Sequence, residues 1–299
     1  MRLKEIKENS NVMVSSNFDK MTNDQLAEKY FEYLLAQKSA CTHEKYSEQI
    51  NKFLDFIRGY KIRDITSNDI GLWLQEKGKI GNSTKHIYLT VLSSFFEYLK
   101  INGYTMIGNP ALQSKKLLSK KINVQHEPVP LDEVRKIIKS ITHPRDKAII
   151  AVFVKTGCRC NELTNLKVSD VETDRIWIRF RKGSKNGEKD TQVPLDNELK
   201  SILNIWLSVR PPGSDYLFTS FYGQGLTNAR IRHITSRLAG IHPHQLRYSF
   251  TTFLSENRCN VNVIEKLRGD SARSMTSYYT KLGWDTVKKE YLAAMPKIL

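Results

Sequence analysis

From Thr22 the chain settles into a spacing of three to four residues between apolar positions. Leu26, Tyr30, Tyr33 and Leu34 fall at helical intervals. Thr42 is placed to cap a second helix, with Tyr46, Ile50, Phe53, Leu54 and Ile57 as its apolar positions. Ser67-Asn-Asp precedes Ile70, Leu72, Trp73 and Leu74, and Ser83-Thr precedes a long run from His86 to Tyr98. The pattern predicts four or five helices between residues 22 and 102 and no strand. Asn109-Pro110 then breaks it. The stretch that follows is poor in large apolar residues and carries Lys115, Lys116, Lys120 and Lys121, which reads as a basic linker.

Beyond Pro128 the helical period returns, with helices expected from Pro130 to about Ser140, over 145–155 and over 162–166. The period then changes to two. Ile176, Ile178 and Phe180 alternate with Trp177, Arg179 and Arg181, as in a strand. Asn186-Gly187 is a hairpin-turn signal, and residues 189–194 supply the returning strand. Helices resume over 196–209, 226–238, 244–256, 261–267 and 272–279, and 287–295 is amphipathic. The predicted fold class is mainly α with a small antiparallel β-sheet. The predicted organisation is a flexible N-terminal segment (1–20), a helical domain (21–109), a basic linker (110–127) and an α+β domain with a helical tail (128–299).

Charge adds a partner to this picture. The 299 residues hold 47 Lys+Arg against 31 Asp+Glu, a formal net charge of +16. Such an excess attracts phosphate backbones and releases their counterions, though a generally basic protein would show it too. The four linker lysines are DNA-tracking candidates on the same grounds, with a solvated loop as the competing reading. Four cysteines in a chain this long do not make a disulfide framework. Cys158 and Cys160 lack a second Cys or His pair at zinc-site spacing, so they read as packing residues in a reducing compartment, and no metal is expected. The start, MRLKEIKENSN, lacks the apolar stretch of a signal peptide. The strongest apolar run, 148–154, is too short to span a bilayer. A soluble cytoplasmic protein with no membrane contact is expected.

The chemistry-bearing residues cluster in the last half. Thr156-Gly-Cys-Arg159-Cys-Asn-Glu162-Leu offers an arginine beside a carboxylate, and His244-Gln-Leu-Arg247 places a histidine and an arginine one helical turn apart. Arginine suits phosphate because its planar fork donates two parallel hydrogen bonds and keeps its charge. Arg159 and Arg247 could straddle a phosphodiester, or Arg159 could simply staple a turn through Glu162. His244 can donate to a phosphate oxygen or take a proton. His242 is expected to point elsewhere and to be structural. Tyr278 and Tyr279 compete as nucleophile, since on a helix their side chains diverge by about 100°.

In this order TGCRCNEL, a basic hairpin ending in QVPL, HPHQLRYSF and MTSYYTK resemble the tyrosine recombinase family, which includes the phage-type integrases and Xer proteins. The resemblance spans residues 22–299, resting on architecture in the first half and on motifs in the second. It implies a core-binding domain over 21–109 and a catalytic domain over 128–299. Through Arg181-Lys182-Gly183, where the family has Gly-Lys-Gly, it implies that Lys182 protonates the leaving 5′-oxygen, with Lys185 as the alternate. Through the register of MTSYYTK it implies Tyr279 as the nucleophile and Tyr278 as a packing residue.

One position departs from the family. Asp270, in Arg268-Gly269-Asp270-Ser271, stands where relatives carry histidine or sometimes tryptophan. It is expected to pair with Arg268 or Arg273, to position another catalytic group, or to mark a weakened enzyme. The implied activity is site-specific DNA recombination or integration through a 3′-phosphotyrosine, without ATP, metal or other cofactor. The implied partner is double-stranded DNA, bound by a homotetramer in a synapse where the C-terminal tail docks on a neighbouring subunit or folds back on its own domain. Two alternatives stand beside it: DNA relaxation of the type IB topoisomerase kind, and a weakened DNA-binding or architectural protein.

Overall fold

The first helix starts at a capping box. Thr22 Oγ1 accepts from the Gln25 amide at 3.3 Å, and Gln25 Oε1 accepts from the Thr22 amide at 2.9 Å. The computed structural model describes residues 20–104, 108–118, 127–179, 190–269 and 282–299. The expected N-terminal segment, the Asn186-Gly187 turn and the 272–279 helix lie outside those residues. The chain divides into two compact units, Met1–Val124 and Gln125–Leu299.

In the first unit α1 (Asn23–Gln37) is followed by α2 (Ala40–Phe56), α3 (Ser67–Glu76) and α4 (Asn82–Ile101), with one short 3-10 turn at Ile62–Asp64. Thr42 is not the cap of α2. Ser39 is, because its extended backbone lets its Oγ accept from the Thr42 amide at 3.3 Å, which puts Thr42 inside the first turn. Thr66 caps α3 and forms a second capping box with Asp69. The helices close over Leu26, Tyr30, Phe53, Trp73, Phe95 and Phe96, all fully buried. Tyr33 and Leu72 share the helical spacing but stay exposed.

The expected linker opens with structure instead. Residues Pro110–Leu117 form α5. Asn109 Oδ1 accepts from the Leu112 amide at 3.0 Å, while its Nδ2 donates to the Ser93 carbonyl of α4 at 2.9 Å. Pro110 at the first helical position lacks only an amide that would have gone unbonded. The Asn-Pro pair therefore ends one helix region and begins another. Ala111 is fully buried, and Ser114 donates to the Ser67 carbonyl at the start of α3.

In the second unit α6 (Leu131–Ser140) leads to α7 (Pro144–Thr156), where every residue from 148 to 156 is buried. Then come α8 (Cys160–Thr164) and a 3-10 turn at Val168–Asp170. Strands β1 (Arg175–Ile178) and β2 (Thr191–Pro194) pair antiparallel, with Ile178 opposite Thr191 as the last rung. Ile176 and Ile178 face the core. Helices α9 (Asn197–Val209), α10 (Asn228–Ala239), α11 (Pro243–Glu256), α12 (Val261–Arg268) and α13 (Trp284–Ala294) complete it. α7 is the central helix, packed by α9 and α11. Among the described residues no helix is long and apolar enough to cross a membrane.

Candidate active site

Three chain segments meet at Arg247. It lies on the buried side of α11, and its Nη2 donates to the carbonyl of Arg268, the last residue of α12, at 2.9 Å. Its Nη1 donates to the carbonyl of Gly157, the residue that ends α7. Gly157 adopts a left-handed φ of 59°, and an added Cβ there would sit 2.5 Å from Phe250 Cδ1. Phe250 lies one turn beyond Arg247 on α11. Only glycine lets α7 end this close to α11, and that approach brings its carbonyl within reach of the guanidinium.

Two residues after Gly157 the chain presents Arg159. Glu162 is 2 % exposed and grips that arginine twice, accepting from its amide and from its Nη1, both at 2.8 Å. The staple foreseen from the motif exists. It also orients the guanidinium, which remains about a quarter exposed, at 27 %. The staple and the phosphate-binding role are therefore compatible. Cys158 is fully buried behind the arginine. Burial raises the Cys160 thiol above its ordinary value, and pushes Cys259 up to about 11. Both are suited to packing rather than to nucleophilic attack.

His244 stands on the exposed side of the first turn of α11, one turn before Arg247. His242 does not point elsewhere. It precedes the helix, donates its amide to Gln245 Oε1 at 2.9 Å, and sets its ring nearly parallel to that of His244, at 8° and 5.8 Å between centroids. Only Pro243 lies between the two histidines, and the extended backbone at His242 turns the first ring along the helix start.

Lys182, Lys185, Asp270, Tyr278 and Tyr279 lie outside the described residues, as do Lys120 and Lys121. Lys115 and Lys116 sit on α5 in the first unit, where Lys115 Nζ donates to Thr90 at 3.1 Å. Arg268, the last residue of α12, touches Arg247, and β1 and β2 pair as far as Ile178 and Thr191. Tyr291 is no rival nucleophile. It is fully buried, burial holds its phenol well above the ordinary value, and its hydroxyl donates to the Lys155 carbonyl at 2.8 Å. Among the described residues no cluster of His, Cys, Asp and Glu could hold a metal ion.

Sequence reading missed the basic face of α10. Arg230, Arg232, His233 and Arg237 are exposed there, and the helix carries no acidic residue. It packs beside α8, with Asn228 Nδ2 3.3 Å from Asn161 Oδ1. The absence of carboxylates from 227–241 was the available signal.

The C-terminal segment lies against its own unit. Lys155, fully buried on α7, pairs with Asp196 and with Glu198 at 2.9 Å, and donates to the Pro296 carbonyl at 2.8 Å. Glu198 in turn accepts from the amides of Ile298 at 2.9 Å and Leu299 at 3.1 Å.

Both units of the chain are similar to known proteins. Residues 129–283 match the phage integrase family, and residues 27–103 match its N-terminal SAM-like domain. Tyrosine recombinase XerA of Pyrococcus furiosus is 30% identical over 278 residues, covering 88% of this chain and 92% of that protein. Tyrosine recombinase XerC of Oceanobacillus iheyensis is 28% identical over 302 residues, covering 90% and 95%. The fold is similar to a lambda integrase tetramer bound to a Holliday junction, with a TM-score of 0.69, 19% identity and coverage of 92% and 82%. It is similar also to the Tn1549 transposon integrase in complex with circular intermediate DNA, with a TM-score of 0.70, 19% identity and coverage of 91% and 99%. The chain belongs to the phage integrase family. It is a tyrosine-type site-specific recombinase.

Proposed function

We propose that this recombinase cuts and rejoins duplex DNA with Arg159, His244 and Arg247 around the scissile phosphate and Tyr279 as nucleophile. The observation that carries the assignment is the convergence at Arg247. One guanidinium ties the ends of α7 and α12, so Arg159 and the chain leading towards Tyr279 are held to the same helix that bears His244. Cations fixed before the reaction stabilise the charge that develops on the five-coordinate phosphorus without reorganising.

The step balances without an outside energy source. The Tyr279 oxygen bonds to phosphorus as the bond from phosphorus to the 5′-oxygen breaks. His244 or solvent takes the phenol proton, and Lys182, or Lys185 as its alternate, gives a proton to the 5′-oxygen. A 3′-phosphotyrosine and a 5′-hydroxyl result, and the phosphodiester's bond energy is kept in the linkage. Attack by a 5′-hydroxyl from a second duplex reverses the chemistry and exchanges the strands. No ATP or metal enters this balance.

Double-stranded DNA would run past the exposed cations of α10 and the lysines at 115, 116, 120 and 121. Their attraction to phosphates fits the +16 net charge. Four copies on two duplexes would make an exchange, as in the lambda integrase tetramer bound to a Holliday junction. Such an enzyme would act in the cytoplasm, on nucleoid DNA. Asp270 is assigned to positioning or pairing rather than to the phosphate, because a bare carboxylate there would repel it. The relatives are recombinases by name, which disfavours both the relaxation and the binding-only alternatives.

The test is a nicked duplex that traps the covalent complex. The wild-type chain is expected to shift to a DNA-linked band, Tyr279→Phe to give none, and Tyr278→Phe to keep it. An adduct from Tyr279→Phe would remove the nucleophile assignment.

A further inference from the structure

We propose that Phe221 and Tyr222 form a rigid aromatic tip that packs against duplex DNA beside the cleavage site. This rests on the reading of the chain as a DNA recombinase given above, and adds to it a contact that is not electrostatic. The two side chains are 84 % and 86 % exposed, more than any other large apolar residue among the described ones. Their rings pack edge to face, 5.6 Å between centroids and at 87°. They therefore stand as one surface rather than as two scattered residues.

The loop that carries them is held in place. Thr219 and Gly225 pair antiparallel. The Ser220 amide donates to the Gln224 carbonyl at 2.7 Å, which leaves Phe221, Tyr222 and Gly223 as a three-residue loop. The Gly223 amide donates back to the Ser220 carbonyl at 3.1 Å, with Gly223 in the left-handed region at φ of 76°. Below the loop Phe218 and Thr219 are buried, and Arg145 of α7 donates to the Thr219 carbonyl at 3.1 Å. Glycine, proline and short polar residues usually fill such turns. Two aromatic rings here add nothing to the core, and holding them in one arrangement beforehand lowers the cost of docking them on a partner.

Charge selects the partner. Between Asp215 and Glu256 the chain has no carboxylate side chain, while Arg230, Arg232, Arg237 and Arg247 all fall in that stretch. At the base of the loop Asp146 is buried and already paired with Arg145 at 2.9 Å. A second copy of the chain would bring the same basic surface, and a net charge of +16, against this one. A polyanion fits instead, and DNA also offers base faces on which aromatic rings pack. Position agrees. Thr227 caps α10 just after the loop, and the carbonyl of Asn228, the first residue of that helix, accepts from Cys160 Sγ at 3.6 Å. Cys160 follows Arg159 directly. Tyr222 and Asn228 are six residues apart, which is about 20 Å at full extension and roughly six base pairs of duplex. The tip therefore reaches DNA that flanks a phosphate held by Arg159.

The experiment measures binding of the full chain to a fluorescein-labelled random-sequence duplex by anisotropy over a range of salt concentrations. A lost phosphate contact changes the slope of log K against log salt, whereas a ring contact releases no counterion. Phe221→Ala and Tyr222→Ala are each expected to weaken binding about tenfold at every salt concentration, with the wild-type slope. Tyr222→Phe should keep most of the affinity. Arg230→Ala and Arg237→Ala are expected instead to flatten the slope by about 1 each. Both rings are exposed, so the alanine variants should unfold at the wild-type urea midpoint; a lowered midpoint would show rings that serve the fold and would overturn the tip. Arginine variants that flatten the slope, beside aromatic variants that bind like wild type, would overturn the tip and leave the DNA reading standing. So would aromatic variants that flatten the slope, or that change the sedimentation of the DNA-free chain without changing its DNA affinity. A wild-type chain with no salt-dependent affinity for the duplex would overturn the DNA reading itself.

Discussion

Gly157→Ala tests whether the close approach of α7 and α11 is what builds the site. Two separate costs follow from the structure. The backbone at 157 has φ of 59°, where a Cβ costs roughly 1–2 kcal/mol. The new methyl would stand 2.5 Å from Phe250 Cδ1 and 2.8 Å from Cγ, and forcing such overlap in a packed core costs about 1–3 kcal/mol. The expected loss of stability is therefore about 2–5 kcal/mol. Gly240→Ala is the matched control. It also ends a helix in the left-handed region, with φ of 63°, but nothing lies within 4 Å of its Cβ position. It should cost only the backbone share, about 1–2 kcal/mol. Urea unfolding read by tryptophan fluorescence measures both, since Trp177, Trp206 and Trp284 all lie in the second unit. Relieving the overlap moves the Gly157 carbonyl relative to Arg247, so Gly157→Ala should also slow adduct formation while Gly240→Ala should not. Equal stability losses for the two variants would refute the reasoning.

Three further outcomes are expected. Lys155→Met leaves Asp196 and Glu198 facing each other without their shared cation, so unfolding should show a loss of about 3–5 kcal/mol. Desolvation alone would raise the Glu198 carboxyl, but Lys155 and the amides of Ile298 and Leu299 outweigh it and hold it below its ordinary 4.5. Its folded value lies below its unfolded one, so its stabilisation is complete above pH 4.5 and is lost as pH falls through the folded value. Hydrogen exchange at Ile298 and Leu299 should quicken over that acid range, and Glu198→Gln should flatten the dependence. Asn109→Ala removes the cap of α5 and a bond to Ser93, and should cost about 1–2 kcal/mol in a urea titration that follows Trp73 of the first unit.

Local pattern made most helices legible, because a helix that must bury one face repeats its apolar residues at a fixed spacing. It failed where two local signals competed. Ser39 and Thr42 are both good caps, and only the extended backbone at Ser39 decides between them. Asn109-Pro110 reads equally as a break or as a start, and the bond from Asn109 to Ser93 on α4 settles it as a start. That contact joins residues sixteen apart, which no local window contains. The site shows the same division. Residue types and order made Arg159, His244 and Arg247 candidates. Nothing in the order of letters showed that Arg247 would take the carbonyls of Gly157 and Arg268, or that His242 would lie along His244. Backbone acceptors leave no mark in a sequence, since every residue has a carbonyl.

The same property explains how the buried lysine bears on the catalytic arginines. Lys155 and Gly157 belong to one strap at the end of α7. The Lys155 carbonyl accepts from Tyr291 of α13, its ammonium takes the Pro296 carbonyl, and the Gly157 carbonyl takes Arg247. Three residues therefore connect the C-terminal segment with the arginine at the centre of the site. Tight packing transmits displacement rather than absorbing it. A shift of the tail that pulls on Lys155 must be taken up either in the left-handed turn at Gly157 or in the bond to Arg247. The turn has little freedom, because Phe250 closes one side of it.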